Sequence, residues 1–230
     1  MNILGIETST DSCSVGFVND LGVSLEHSLE DSHVHSEKLQ TLIKHILEEA
    51  ETTPDNLDAV AVSIGPGSFT GLRIGLSSAK GLCFALGKPL VTVGTFDAIA
   101  KAAFRAHNDV QDIVIVLDAK QSDFYVGRYG RIGEYVKANR EVAVLSLDNC
   151  IREIERGRNT LVLTDAAHKI QGFFSGTFQC KPVQRYCRGD VIAFMGIQKC
   201  SAGQFSALAS VEPLYLKDFV VKNINVSASI

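Results

Sequence analysis

The sequence lacks several features that would assign a protein to a common class. Its six cysteines form no Cys-x-x-Cys pair, which excludes the usual zinc knuckle and dithiol motif and predicts free thiols in a reducing compartment. No apolar run is long enough to span a membrane, because Gly, Ser, Lys or Asp interrupts each one. The formal net charge is −4, so the chain has no basic excess for holding a nucleic-acid backbone.

What the sequence does contain is enough apolar material for a real core. It has 230 residues, of which 46% are hydrophobic, a size that fits one large domain or two small ones. The first ten residues, MNILGIETST, have no basic flank and only a short apolar stretch, so they predict a strand and not a signal peptide. We therefore expect a cytoplasmic protein that does not associate with membranes.

The hydrophobic periodicity of the first half predicts a mixed sheet covered by helices. Turn residues 19–22 join two of the strands in a hairpin. The predicted strands are 2–7, 13–19, 23–28, 59–64 and 90–93, and the predicted helices are 36–50, 70–87 and 95–106.

The second half repeats this theme with less helix. A polar stretch at 107–112 predicts a boundary between domains 1–106 and 107–230. After the boundary we expect strands at 113–118, 124–129 and 161–164, a helix capped by Asp190, and a final strand around 214–217.

The stretch SIGPGSFTGLRIG at 63–75 joins a predicted strand to a predicted helix. Backbone N–H groups at a helix N-terminus attract anions, and glycines allow close approach. The spacing nevertheless differs from the dinucleotide fingerprint, and no Walker lysine or nucleophile elbow is present. The stretch is thus either an anion-binding or nucleotide-proximal loop or a tight turn, and the spacing favours the turn. The loop's candidate residues, with hydroxyls from the first hairpin, are Thr8, Ser9, Thr10, Gly65, Gly67, Ser68, Thr70 and Arg73.

The helix after this stretch has two apolar faces. One is a core stripe of Leu72, Leu76, Ala79, Cys83 and Leu86, and the other is rich in small residues. Glycine inside a helix costs about 1 kcal/mol relative to alanine, so Gly75 and Gly81 suggest a place where another backbone comes close. The second face therefore packs either inside the domain or against a partner helix. The partner hypothesis assigns to the interface Leu39, Leu42, Ile43, Ile46, Gly71, Gly75, Ser78, Leu82 and Ala85.

Several segments together resemble one family. ILGIETST, SHVHSEKL, AVSIGPGSFTGLRIGLSSAKGLCFAL, VLDAKQSDFYVGRY and PLYLKD occur in this order along nearly the whole chain. This pattern is similar to the TsaB (YeaZ) family of tRNA threonylcarbamoyladenosine biosynthesis proteins, which are related to the M22 glycoproteases. The resemblance implies an α/β, actin-like (ASKHA, ribonuclease H-like) fold with two related domains.

The same resemblance implies a function through partners. It implies a non-catalytic partner of TsaD, acting with TsaE to form N6-threonylcarbamoyladenosine beside the anticodon of tRNAs that read codons beginning with A. A homodimer is implied when the chain is alone, and contact with tRNA only through the complex. ATP or ADP and a metal are implied on TsaD and none on this chain, while a nucleotide at the subunit joint stays open.

Two departures from the catalytic paralogue support a non-catalytic role. Where TsaD carries a metal-binding H-x-x-x-H, this chain has Thr95 and Ile99 in the two ligand positions. Isoleucine cannot ligate a metal and threonine is a poor ligand. The paralogue's second-domain phosphate loop also has no counterpart. The alternative is an enzyme in its own right, either a nucleotide-dependent transferase or a glycoprotease-type metallopeptidase.

Four further residues have a structural and a functional interpretation. Glu7 lies at the first hairpin, where relatives of this fold contact phosphate and metal, but a turn closed by hydroxyls is the favoured interpretation here. His33 and His35 could clip a metal, or could lie in a loop and at a helix start. Asp118 ends a predicted strand, where it either orders the following loop for function or caps a turn.

Overall fold

The first half of the protein is a sheet with helices on its faces. The computed structural model describes residues 1–30, 35–133, 135–157, 160–173 and 178–217. The first half contains β1 (Asn2–Glu7), β2 (Ser12–Asn19), β3 (Ser24–Glu30), α1 (His35–Glu49), β4 (Ala59–Ser63), α2 (Phe69–Leu86), β5 (Leu90–Val93) and α3 (Thr95–Ala106), with a short 3-10 turn at Pro54–Asn56. Residues 64–68, between β4 and α2, are called the glycine loop below.

The second half has the same kind of composition with shorter helices. It contains β6 (Asp112–Asp118), β7 (Asp123–Ile132), β8 (Tyr135–Ser146), α4 (Leu147–Glu155), β9 (Leu161–Thr164), α5 (Ala167–Ile170), β10 (Gln179–Pro182) and α6 (Gly189–Ser201). Two 3-10 turns, Gln171–Phe173 and Val183–Tyr186, flank β10.

The two sheets share one topology. Their strand orders are β3-β2-β1-β4-β5 and β10-β9-β6-β7-β8, which are the same order read from opposite edges. In each sheet three strands form an antiparallel meander and two more join in parallel. The expected fold class, an actin-like arrangement of two related halves, is therefore confirmed.

Alternate residues along each central strand supply different core layers. Leu4 and Ile6 of β1 face α1 and α2, whereas Ile3 faces a central cluster. That central cluster also contains Ile113 and Leu163 of the second sheet, so it lies between the two sheets. A third cluster covers the far face of the second sheet with α4 and α5. The predicted division at residue 106 stays a prediction, but the two halves share this central layer.

Helix α6 belongs to the second half of the sequence and packs on the first sheet. It contacts β1, β2, β4 and β5. A Cβ atom on Gly5 would collide with the carbonyl oxygen of Gly189, and one on Gly16 with the backbone of Asp190. The N–H of Gly189 donates to the hydroxyl of Ser14 over 2.8 Å. Glycine is thus required where this helix meets the strands, because the backbones nearly touch.

Two sequence predictions for the second half need correction, and some elements, β8 among them, were not predicted. Asp190 is not the helix cap: α6 begins at Gly189 after Arg188, and Asp190 forms a bidentate ion pair with Arg188. Residues 214–217 form no strand. Strand β8 was missed, because most of its residues from 137 to 141 are polar and exposed at a sheet edge.

Two other expectations concern regions that the structure covers only in part. His33 lies outside the described residues, and so does the side chain of His35, whose backbone begins α1. Within the described part of the chain, no helix combines the length and the apolar character needed to cross a membrane.

Candidate functional site

The first hairpin and the glycine loop are held together by backbone contacts. The carbonyl oxygen of Ser9 accepts a hydrogen bond from the N–H of Ser68 over 2.7 Å. The hydroxyl of Thr8 donates to the carbonyl oxygen of Gly71 over 2.8 Å. Thr8, Ser9 and Thr10 are all buried. The structure therefore brings together the two segments that the sequence predicted as one loop site.

The glycines of this region serve the contact with the hairpin. A Cβ atom on Gly67 would collide with the carbonyl oxygen of Ser9, and one on Gly71 with that of Thr8. A Cβ atom on Gly75 would collide with the hydroxyl oxygen of Thr8. The groups that approach these glycines, two backbone carbonyls and one hydroxyl, thus belong to the chain itself, which agrees with the tight-turn interpretation.

Gly65 is a separate case, because its backbone conformation itself requires glycine. Its φ is +111°, in a region that side chains rarely adopt, and it precedes a cis Gly65-Pro66 peptide bond. Its N–H donates to the hydroxyl of Thr95 over 3.1 Å, and its carbonyl accepts from the N–H of Thr95 over 3.0 Å. The loop is therefore anchored to the start of α3.

Thr95 and Ile99, the two positions that the sequence compares with metal ligands, are both fully buried. The hydroxyl of Thr95 is engaged by Gly65, and Ile99 belongs to the central apolar cluster. Both side chains are thus occupied in building the fold. Among the residues that the structure describes, no group of three or more His, Cys, Asp or Glu side chains could hold a metal ion.

The N-terminus of α2 is capped by a side chain of the preceding loop. Ser68 is the N-cap, and its hydroxyl accepts from the N–H of Gly71 over 3.2 Å. Thr70 is exposed. The guanidinium of Arg73 lies 3.9 Å from the ring centre of Phe69, and its Nε donates to the hydroxyl of Tyr215 over 3.0 Å. Arg73 therefore contacts two aromatic side chains, Phe69 and Tyr215, near the glycine loop.

Glu7 is the most unusual polar group of the site. It is fully buried, its Oε1 accepts from the N–H of Ser9 over 2.6 Å, and its Oε2 has no hydrogen-bond partner among the described residues. The buried hydroxyls of Ser9 and Ser63 are likewise unpaired within that part of the chain. Burial raises the pKa of Glu7, and the nearby hydroxyl and N–H groups of Ser9 oppose this only in part.

Asp118 belongs to a small charged group at the ends of β6 and β9. Its Oδ1 accepts from the N–H of Lys120 over 2.9 Å, so it caps the turn after β6. Its Oδ2 pairs with Lys169 at 2.8 Å, and its N–H donates to Asp165 over 2.9 Å. Burial, with the nearby charges of Asp118 and Asp11, raises the pKa of Asp165. Sequence reasoning missed Asp165 and Lys169, because only the parallel pairing of β6 and β9 brings them together.

The predicted interface residues divide into two groups. Leu39, Leu42, Ile43 and Ile46 are 6% exposed or less and pack in the chain's own core. Together with Gly71 and Gly75, they are buried within the chain itself and offer little area to a partner, and their assignment to the interface stays a prediction. Ser78 and Leu82 are half-buried and Ala85 is exposed, and for these three the assignment stays a prediction.

The exposed side of α2 offers a different set of residues. Phe84 is 83% exposed, and Gly81 has open space in front of it. At helical spacing these two share one surface with other exposed residues. We call this surface the α2 outer face; it comprises Thr70, Arg73, Ser77, Gly81, Phe84 and Ala85. The periodicity of the sequence could have indicated Phe84, since it falls outside both apolar stripes.

The family assignment follows from a match over most of the chain. Residues 30–197 match the family model described as "TsaD: tRNA N6-adenosine threonylcarbamoyltransferase". The chain belongs to this family. Within the TsaD family it is similar to proteins named TsaB and to YeaZ structures, which confirms the resemblance seen in the motifs.

Two curated relatives and one solved structure illustrate this similarity. The tRNA threonylcarbamoyladenosine biosynthesis protein TsaB of Escherichia coli is 34% identical over 131 residues, covering 57% of this chain and 56% of the relative. TsaB of Buchnera aphidicola from Acyrthosiphon pisum is 32% identical, covering 62% and 66%. The match thus spans between half and two thirds of these relatives' lengths. YeaZ from Pseudomonas aeruginosa has a TM-score of 0.79 at 22% identity, covering 94% of this chain and 99% of that one, which shows the shared fold.

Proposed function

We propose that the chain acts in tRNA threonylcarbamoyladenosine biosynthesis as a non-catalytic partner of TsaD, together with TsaE. The family match and the names of the curated relatives support the pathway. The product is N6-threonylcarbamoyladenosine beside the anticodon of tRNAs that read codons beginning with A.

The observation that carries the non-catalytic part of this proposal is the burial of Thr95 and Ile99. A metal site needs side chains that point to a shared cavity with free lone pairs. The hydroxyl of Thr95 instead accepts from the N–H of Gly65, and Ile99 has no lone pair. The packing of these two positions supports catalysis on TsaD, where the metal and ATP or ADP would bind.

The α2 outer face is the surface that we propose for TsaD, and for a second copy of the chain when TsaD is absent. Phe84 is 83% exposed, so its ring is available to a partner, and aromatic side chains buried on binding are common anchors of interfaces. The open space at Gly81 lets another helix approach α2 closely. The exposed residues of α1, by contrast, are polar or charged.

Contact with tRNA is proposed to occur through the complex. A formal net charge of −4 offers this chain little counterion release on binding RNA. Whether a nucleotide also lies at the joint with TsaD depends on groups that TsaD contributes.

Reconstitution tests the proposal. Purified chain, TsaD and TsaE are combined with unmodified tRNA, ATP and a threonylcarbamoyl donor, and the modified nucleoside is quantified after digestion of the tRNA. Product is expected only when the chain and TsaD are both present, and light scattering is expected to show a complex of the two. Product formed without the chain, or no complex, would contradict the partner role.

The alternative is an enzyme in its own right, and the family description as a transferase favours testing it. The same reaction without TsaD makes this test. Modified nucleoside formed by the chain alone would show that the chain is itself a transferase and not a partner. Peptide cleavage by the chain alone would indicate a glycoprotease-type peptidase.

A further inference from the structure

The segment after α6 returns across the first half of the protein. We call residues 206–217 the C-terminal strap. The N–H of Ser206 donates to the carbonyl oxygen of Leu90 over 2.9 Å, and its hydroxyl lies 2.9 Å from that of Thr92. Further along, Lys80 of α2 donates to the carbonyl oxygen of Val211 over 3.3 Å. The strap is therefore attached to both β5 and α2.

The strap next covers the glycine loop. The N–H of Leu214 donates to the carbonyl oxygen of Ile64 over 2.7 Å. A Cβ atom on Gly65 would lie 2.9 Å from the carbonyl oxygen of Leu214, so the two backbones pack directly against each other. Any displacement of the strap would expose this loop.

Tyr215 links the strap to the α2 outer face. Its ring centre lies 5.1 Å from that of Phe69, and its hydroxyl accepts from Nε of Arg73 over 3.0 Å. Tyr215 is 40% exposed and Arg73 is exposed. This contact thus lies where a molecule bound to the α2 outer face would reach it.

Lys217 links the strap to the second half. Its ammonium pairs with Asp123 at 2.7 Å and donates to the carbonyl oxygens of Ala119 and Lys120 over 3.3 Å each. These acceptors lie at the turn between β6 and β7, where Lys120 and Gln121 have φ of +63° and +59°. Such backbone persists only when its surroundings hold it, and Lys217 is one of the groups that do so.

We propose that the C-terminal strap is a latch that couples occupancy of the α2 outer face to the turn at 119–123 in the second half. A partner that takes Arg73 or stacks on Phe69 competes with Tyr215, and loss of that contact frees the strap and loosens Lys217. Coupling of this kind is reciprocal. A freed strap therefore leaves Arg73 and Phe69 more available to the partner, which is TsaD if the function proposed above is correct.

Hydrogen exchange of the free chain tests the latch without any partner. Lys217→Met is expected to speed amide exchange at 119–123 about fivefold, since an ion pair with additional hydrogen bonds is lost. Arg73→Ala is expected to speed exchange at the same turn, although Arg73 lies on the other half. Lys44→Met, which removes an exposed ion pair of α1 with Glu48, is the control and is expected to leave this turn unchanged.

The wild-type chain is then measured with TsaD added. Faster exchange at 119–123 on binding, with no further increase in Lys217→Met, is the result expected of a latch. Unchanged exchange at this turn in Arg73→Ala, or on binding of TsaD, would overturn the coupling. Failure of TsaD to bind would refute the proposed partner but not the latch, because the Arg73→Ala comparison decides the latch in the free chain.

Discussion

The hydroxyl of Thr8 donates a hydrogen bond of 2.8 Å to the carbonyl oxygen of Gly71, across 63 residues of sequence. The same hydroxyl oxygen occupies the space in which a side chain at Gly75 would have to fit. One residue of the first hairpin therefore explains two glycines of α2, Gly75 through its hydroxyl and Gly71 through its carbonyl oxygen. It also determines which side of α2 is closed and which side is free for a partner.

Gly75→Ala is expected to destabilise the chain by about 1–3 kcal/mol, because the new methyl group collides with the hydroxyl of Thr8 and outweighs the better helix propensity of alanine. Gly81→Ala is the matched control, since nothing lies within 4 Å of its Cβ position, and it is expected to raise stability by up to about 1 kcal/mol. Urea denaturation measures both. A double variant with Thr8→Ala should recover part of the loss; equal costs at Gly75 and Gly81 would contradict the packing.

Phe84→Asp is expected to weaken binding to TsaD at least about tenfold, because the variant removes an exposed aromatic anchor and places a charge in the interface. Its own free energy of unfolding should change by no more than about 0.5 kcal/mol, since the side chain is on the surface. Phe205→Asp is the control, being 53% exposed and outside the α2 outer face. Calorimetric titration with TsaD measures the affinities. Loss of binding in Phe205→Asp but not in Phe84→Asp would show that the interface lies outside the α2 outer face.

The buried carboxyl of Glu7 predicts an unusual dependence of stability on pH. Its pKa is raised in the folded state, so the folded chain binds a proton more tightly than the unfolded chain does. The contribution of Glu7 to the free energy of unfolding therefore increases as pH falls through the raised pKa, and it levels off below the ordinary pKa of a glutamate. The same contribution is lost as pH rises through the raised pKa.

Glu7→Gln should remove this dependence and increase stability at neutral pH, because the amide oxygen can still accept from Ser9 without a buried charge. Urea denaturation at about pH 5 and about pH 8 measures the difference for the variant and the wild type. Glu37→Gln, at an exposed position of α1, is the control. If the free energy of unfolding changed between these two pH values by the same amount in the wild type and in Glu7→Gln, the described role of Glu7 would be wrong.

The isolated chain is expected to hold no stoichiometric metal and to bind ATP weakly if at all. The reason is that Thr95 is engaged by Gly65, Ile99 is buried, and the sequence has no Walker lysine. Elemental analysis of protein purified without chelator and calorimetric titration with ATP make the test. One tightly bound metal per chain, or micromolar affinity for ATP, would support an enzyme instead of a partner.

The periodicity of the sequence was sufficient for most elements of the first half. Strand β1 and helices α1 and α2 agree with prediction to within one residue at each end, because residues 3–6 of β1 are a continuous buried apolar run and each helix buries an apolar stripe in one core cluster. The LYLK segment at 214–217 alternates like a strand but forms none. Its residues are fixed one by one by partners far away in sequence, such as Ile64 and Asp123, and alternation carries no information about such contacts.

The candidate site shows the same limit. Gly75 and Gly81 were interpreted as positions where another backbone comes close, but the atom close to Gly75 is the side-chain hydroxyl of Thr8, and nothing lies within 4 Å of a Cβ atom on Gly81. Whether a partner helix or Thr8 fills the space at Gly75 depends on how the first hairpin packs on α2, and local sequence does not determine this tertiary contact. For the same reason the apolar stripe of α1 was assigned to a partner, although Leu39 and Ile46 are at most 1% exposed inside the domain.

The packing of α6 on the first sheet has a consequence for how the gene could be divided. A fragment ending at residue 106 would lack α6, and the strand surface at Gly5 and Gly16 would be open to water together with its apolar neighbours Ile3 and Ala61. Such a fragment should aggregate when it is made alone and become soluble when residues 107–230 are made in the same cell. The chain is thus suited to fragment complementation, in which two separately encoded fragments reassemble and their reassembly reports that they have come into contact.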